Sequence, residues 1–337
     1  MATNGDTLTG VVPVRHVGRW FGSAFALLAI VMLVHTLFSK IPNGQVACHT
    51  TAGVRACRPV INWRFGWDVV GKYFTDTQIL HGIVVTLELT VLAMTIGIVL
   101  GVILAIMRLS KSRLLSATAW TYTWFFRGTP VYVQLLFWGY LPLIYKQLTI
   151  GVPFTSITFL HIQTVSVITS FVAGVMGLGL NEAAYMSEIA RSGLISVDEG
   201  QSEAAMSIGM TRRQTLRLVV LPQAMRVIIP PTGNEVISML KTTSLVIAVS
   251  VTDLLGAATN IYQATYQIMP MLIVASLWYL LISTFLSVGQ YYMERHFAKG
   301  ALRTPPPTPI QRLRQDLRGI VGKFRTRRSA IASGVVS

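Results

Sequence analysis

Charge is scarce in this chain of 337 residues: only 12% are Asp, Glu, Lys or Arg, about half the share of an ordinary soluble domain. Together with 52% hydrophobic residues, that shortage excludes a water-soluble globule and indicates a membrane protein. Acidic residues are the rarer sign, 13 against 28 Lys and Arg, for a net charge of +15. In a membrane chain such an excess is read first as cytoplasmic loops. Nucleic-acid binding would need aromatic residues interleaved with a basic face, and there is no such stretch. Cysteine is limited to Cys48 and Cys57, both in one loop, and no CxxC or HExxH occurs, so no metal site is expected. Gly71-Lys72 and Gly322-Lys323 both lack the following Ser or Thr of a P-loop. The chain therefore has no ATP-phosphate cradle of its own, and the absence of GxSxG removes a common hydrolase signature.

Long apolar runs make up most of the chain. Phe21–Phe38 is uncharged and follows Arg15 and Arg19, a run long enough to cross a bilayer. A signal peptide is the rival reading, but no small-x-small site follows closely. Val46-Ala47-Cys48 resembles a lipoprotein cleavage site, except that Gln45 stands where Leu is usual. Further spans are expected at Ile79–Met107, Val131–Tyr145, about 160–180, about Met225–Val251, and Pro270–Tyr292. Trp63 and Trp67 suit an interfacial belt before the second span. Pro130 suits the start of a helix, where its missing N–H costs nothing. Pro230-Pro231 and Gly233 are expected to interrupt the fifth span, and broken helices at membrane depth line cavities. Asp253–Gln267 reads as a weakly amphipathic outer connection.

The chain thus divides into residues 1–78 (a flexible start, an extra span and an outer loop), a helical membrane domain at 79–293, and a basic tail at 294–337 with ten Lys or Arg. With both ends inside, the inner segments hold 21 positive residues and the outer loops six, which supports cytoplasmic termini. Five of those six lie in the first outer loop, an excess with no physical account. If that loop is outside, Cys48 and Cys57 can form a disulfide. The fold class is all-α, a polytopic membrane bundle.

The chain is organised around residues 181–241, which hold six of the 13 acidic residues between apolar segments. Ser196 and Glu199 have capping-box spacing, and Gly209 fits the left-handed position that ends a helix, so a short helix is expected over Gln201–Ile208. Thr211 and Gln214 repeat the capping spacing, and Pro222 is expected to stop the helix they begin.

Glu203-Ala204-Ala205, Gly209, Val219 and Leu221-Pro222 resemble the EAA loop of ABC importer permeases, with Val219 where Ile is usual. Ala184-Tyr185, Glu188-Ile189, Gly233-Asn234-Glu235 and the FFRGTP segment at Phe125–Pro130 are similar to the polar-amino-acid (histidine/glutamine/arginine type) permeases. The resemblance runs from about Thr77 to Tyr292. It implies a type I ABC importer permease fold, five core helices plus one N-terminal span here, in a bacterial inner membrane.

The loop, at about 182–222, would be a coupling helix. Glu203, Ala204, Ala205, Gly209, Leu221 and Pro222 would dock into a groove on an ATPase subunit, small residues allowing close seating. The implied partners are that ATPase, which holds ATP and Mg, a second permease copy or paralogue, an extracytoplasmic solute-binding protein and membrane lipid. This chain would bind no cofactor and catalyse nothing.

Ionisable residues inside spans are expensive and therefore informative. A zwitterionic amino acid needs an acceptor for its ammonium group and a cation for its carboxylate. Glu235 can supply the first and Arg127 or Lys241 the second, with Asn234 alongside. The rival class is a membrane enzyme or sensor using Glu88, Glu235 and Lys241 as proton-handling groups.

Overall fold

The computed structural model describes residues 17–51, 54–151 and 158–297. The first 16 residues and the basic tail from 298 onward, expected to be flexible and at most partly helical, lie outside them. The chain divides into two units, Met1–Asp76 with Ala258–Val274, and Thr77–Ala257 with Ala275–Ser337.

In the first unit, α1 (Val17–Leu37) leads into a hairpin of β1 (Lys40–Thr51) and β2 (Val54–Trp63), then α2 (Trp67–Tyr73). From Phe25 onward α1 exposes its apolar side chains on every side, as a helix solvated by lipid does. Trp67 ties the unit together: its Nε1 donates to the Leu37 carbonyl at 2.9 Å and its ring stacks on Phe38 at 5.4 Å. Gly66 precedes α2 at φ 62, and a Cβ there would lie 2.6 Å from Pro270 Cγ. The hairpin is antiparallel and places Cys48 directly opposite Cys57; their side chains lie outside the described ones. A second hairpin, β3 (Gln147–Gly151) with β4 (Thr158–Gln163), connects two helices of the other unit. Both hairpins occupy connecting segments, so the all-α reading holds for the spans and misses the connections. Val46, Val54, Val60 and Ile61 supply β-branched residues that favour the first hairpin. The open edges of two-stranded sheets exclude both hairpins from the hydrocarbon.

The second unit is built on α3 (Thr77–Arg108) and α7 (Ser170–Ile195). The inward stripe of α3 includes Gly82, Thr86, Ala93, Gly97, Gly101 and Ala105, nearly all small, while Val84, Val91, Val99 and Ile106 face outward. Lipid tails are as apolar as Leu, so close backbone approach rather than hydrophobic exclusion drives this packing, and Gly97–Gly101 has GxxxG spacing. A Cβ on Gly101 would come within 2.5 Å of Met186 Cβ on α7, and one on Gly179 within 3.1 Å of Ile96 Cβ. Around this seam lie α4 (Arg113–Gly128), α5 (Val131–Ile144) and the single turn α6 (Thr164–Val167). Leu89, Met94, Leu135, Leu178, Met186, Met239 and Val246 form the core.

Three expectations are corrected by this architecture. The fourth span neither begins near 160, where β4 and the turn α6 lie, nor ends near 180: α7 begins at Ser170 and runs on through Asn181–Ile195, because Glu182 and Ser187 turn inward and Ala183, Ala184 and Ala190 pack. Pro222 does not stop a helix. It lies in the first turn of α10 (Leu221–Thr242), behind a π turn at Leu216–Val220 that removes the need for its missing N–H. Pro230 and Pro231 sit inside α10; the break comes later, through a 3-10 segment at Thr243–Val249 that ends at Ser250 with φ 61. Beyond it, Asp253–Gln267 is an amphipathic connection with one face buried. It contains α11 (Leu254–Thr265), with Asp253, Leu254, Ala257 and Ala258 buried. Asp253 Oδ1 accepts from Gly256 N at 2.8 Å, Tyr279 of α12 (Ile268–Phe297) donates to Oδ2 at 3.0 Å, and Leu254 N donates to Thr86 Oγ1 at 3.0 Å.

Candidate functional site

The turn between α4 and α5 carries Arg127. Thr129 is extended, as a residue before proline must be, and Pro130 begins α5 at φ −63. That leaves the last carbonyls of α4 without helical donors. Side-chain amides supply them: Gln134 Nε2 and Asn181 Nδ2 both donate to Phe126 O, at 3.0 and 2.9 Å. Tyr122 Oη donates to Leu180 O at 2.8 Å, fastening α4 to α7. Arg127 is thereby held with its guanidinium 5.4 Å from the Tyr185 ring centroid, within cation–π range.

Beside it lies a cavity of about 600 Å³. Its walls come from the α4–α5 turn (Arg127–Val131), from α7 (Leu178, Asn181, Glu182, Tyr185) and from α10 (Glu235, Ser238, Met239, Thr242). Glu235, Ser238 and Thr242 share one face by their spacing of three and seven. Glu182 is only 4% exposed, and its Oε1 has no hydrogen-bond partner among the described residues. The ion pairs found among the described residues join Glu188 to Arg108 and Arg191, at 3.5 and 2.8 Å, and involve none of Arg127, Glu182 or Glu235. The cavity thus presents one guanidinium, two carboxylates, an amide and several hydroxyls.

Arg127 and Glu235, both singled out in the sequence, meet here. Asn234 does not line the cavity; its Oδ1 accepts from Gln290 Nε2 of α12 at 3.0 Å. Lys241 lies in a separate hollow of about 540 Å³ with Ser244, Ser276, Tyr279 and Ser283. Glu88 sits on the exposed face of α3. Glu88, Glu235 and Lys241 therefore occupy three different places and do not form the cluster that the enzyme or sensor alternative requires. Sequence reasoning misses Glu182, Asn181 and Tyr185 as site residues, because it reads the polar block from 182 onward as a loop. Their signal is helical spacing with Leu178.

The second site is the short α8 (Glu199–Ser207). It starts two residues earlier than expected, capped by Asp198, whose Oδ1 accepts from Gly200 N at 2.8 Å; Ser196 instead ends α7. Gly209 follows at φ 90, with Gly209 N donating to Met206 O at 3.0 Å and Met210 N to Ala205 O at 3.1 Å. This paired pattern is a Schellman cap. Thr211 and Gln214 then complete a capping box for α9 (Arg212–Thr215), which runs through the π turn into α10. Glu203 and Ala204 face outward, Ala205 is buried, and Leu221 and Pro222 are exposed. Met206, Ile208, Leu216 and Leu218 add an exposed apolar surface, Ile208 at 80%.

Residues 97–299 match the family described as binding-protein-dependent transport system inner membrane component. The chain is 45% identical over 294 residues to the arginine transport system permease protein ArgU of Corynebacterium glutamicum, covering 87% of this chain and 84% of that one. It is 36% identical over 210 residues to the histidine/lysine/arginine/ornithine transport system permease protein HisM of Escherichia coli, covering 62% and 84%. Among solved structures it resembles an amino acid ABC transporter crystallised with histidines, with a TM-score of 0.56, 34% identity, and coverage of 68% of this chain and 98% of that chain.

Proposed function

The chain belongs to the family of binding-protein-dependent transport system inner membrane components, and we propose that its cavity is the passage site of a polar amino acid importer. It is a permease subunit of an amino acid ABC transporter, a membrane protein and not an enzyme. Its partners are ATPase subunits, which hold ATP and Mg, a second permease copy or paralogue, a solute-binding protein and the surrounding lipid. Both termini face the cytoplasm, on the bias of 21 positive residues inside to six outside.

The observation that carries this reading is the meeting of Arg127 and Glu235 in one cavity, neither engaged in an ion pair among the described residues. The guanidinium takes the substrate carboxylate as a fork, and the Glu235 carboxylate takes the ammonium. Each such charge-assisted bond contributes about 1.5–3 kcal/mol. Transport follows by alternating access: ATP closes the ATPase dimer, α8 moves with its groove, and the rearranged permeases open the cavity to the outside.

The test is uptake and substrate-stimulated ATP hydrolysis by the purified complex with Glu235→Gln, which keeps shape and removes charge. Both activities should fall while the ATPase still co-purifies. Unchanged kinetics would remove Glu235 from substrate and make it an interhelical polar group.

A further inference from the structure

Gly233 and Asn234 precede Glu235 in sequence but take no part in its cavity, and α12 shows what they do instead. Pro230 and Pro231 have no N–H, so the Arg226 and Val227 carbonyls lose their helical donors, and α10 can bend between Leu221 and Glu235. At this point Gln290 of α12 reaches across. Its Nε2 donates to Pro230 O at 3.2 Å and to Asn234 Oδ1 at 3.0 Å, and lies 2.7 Å from Oε1 of Glu294 on its own helix. A backbone carbonyl only accepts, so Nε2 and not Oε1 of Gln290 must face Pro230. Gly233 makes the approach possible: a Cβ there would lie 2.7 Å from Gln290 Cγ and 2.8 Å from its Cδ. The grip thus spans one helical turn, from Pro230 to Asn234, over the proline pair. An amide nitrogen carries two hydrogens, and three acceptors surround this one, so Glu294 competes with α10 for them.

We propose that Gln290 is a positioning residue for transport: it braces α10 across the proline pair, so that Glu235 follows the α8 end of the same helical run, and Glu294 keeps that brace from being complete. Without the brace the cavity side chains stay where they are, but α10 flexes, and ATP hydrolysis proceeds without a matching movement of Glu235. The inference rests on the assignment of α8 as coupling helix and of the cavity as passage site. It adds the residue that joins the two, on a helix that lines neither. It also accounts for the run Gly233-Asn234-Glu235: the first admits Gln290, the second is gripped by it, and the third faces the cavity.

The test reads α10 itself. Amide hydrogen exchange over 232–242 is followed by mass spectrometry on the permease–ATPase complex in nanodiscs, with α7 as the internal reference. Gln290→Leu keeps bulk and removes the donor. It should speed exchange over 232–242 by about tenfold, as the loss of two ordinary hydrogen bonds implies, and leave α7 unchanged. Glu294→Ala removes the competing acceptor and should slow the same exchange, because both hydrogens then serve α10. In proteoliposomes with the solute-binding protein, Gln290→Leu should raise the ATP hydrolysed per amino acid taken up by a factor of the same order, with the KM for uptake unchanged, since no cavity residue is altered. A role in packing alone would speed exchange in α7 as well and would not give the two variants opposite signs. Unchanged exchange in Gln290→Leu, or exchange in Glu294→Ala that is not slower, overturns the brace; if Gln290→Leu does not assemble, Glu294→Ala decides. Faster exchange with an unchanged ratio of ATP to substrate overturns its part in transport. Failure of the wild-type transporter to take up any amino acid removes the import reading and leaves the exchange result to decide the grip of Gln290 on α10.

Discussion

Replacing Gly209 with valine isolates the link between α8 and the rest of the chain. Gly209 has φ 90, and a Cβ built on it meets nothing within 4 Å. The added Cβ therefore meets no packing obstacle, and the effect of interest is backbone strain. An L residue held in left-handed space is strained by about 1–2 kcal/mol, and a β-branched one lies toward the upper end. At about 1.4 kcal/mol per tenfold, the capped conformation loses roughly a factor of ten in population. With it go the bonds from Gly209 N and Met210 N to the Met206 and Ala205 carbonyls, which fix the angle at which α8 leaves the chain. Gly289 is the control: it also has nothing within 4 Å but lies inside α12 without a positive φ, so Gly289→Ala should be neutral or slightly stabilising. The assay is co-purification of the ATPase with each variant, together with ATP hydrolysis and uptake in proteoliposomes. Gly209→Val should hydrolyse ATP with reduced uptake, or bind the ATPase more weakly, while Gly289→Ala behaves as wild type. Normal ATPase binding with normal uptake in Gly209→Val would refute the coupling role of α8.

Glu203→Lys reverses the charge on the outward face of the same helix; uptake should fall, and a compensating acidic change on the ATPase should restore it. Gly101→Val should prevent stable assembly, since its Cβ alone would lie 2.5 Å from Met186 Cβ; normal yield and a normal melting temperature would disprove the α3–α7 seam. Cys48 and Cys57, opposed across the first hairpin, should react with a membrane-impermeant thiol reagent on intact cells only after reduction. Labelling that requires permeabilisation would place the loop inside and invert the topology.

The spans at α3 and α12 are legible because they are long apolar runs, and the coupling helix because Gly209, Thr211 and Gln214 carry local rules that tertiary context does not overrule. The end of α7 is not legible. Polarity after Asn181 reads as exposure, and only the glycines of α3 show that Glu182 is buried against another helix. Pro222 misleads for a similar reason: a proline forbids one hydrogen bond, and a π turn just before it leaves that bond unneeded. In the site, Arg127 and Glu235 stand out by charge. Asn234 and Lys241 are neighbours of Glu235 in sequence and not around the cavity, since residues one and six apart on a helix point elsewhere.

The uninterrupted helical run from Arg212 to Thr242 has a mechanical meaning. At 1.5 Å per residue it is a lever about 46 Å long. One end adjoins the capping box beyond α8, and the other carries Thr242 into the cavity wall. A tilt of about 5° at the first end sweeps the second through roughly 4 Å, the width of a methylene chain, with no change in the lever itself. Its stiffness is lowest at the π turn and at Pro230-Pro231, where the hydrogen-bond ladder is irregular or lacks donors. Those two places set how much of a stroke delivered at Arg212 arrives at Glu235 and how much is absorbed as bending on the way.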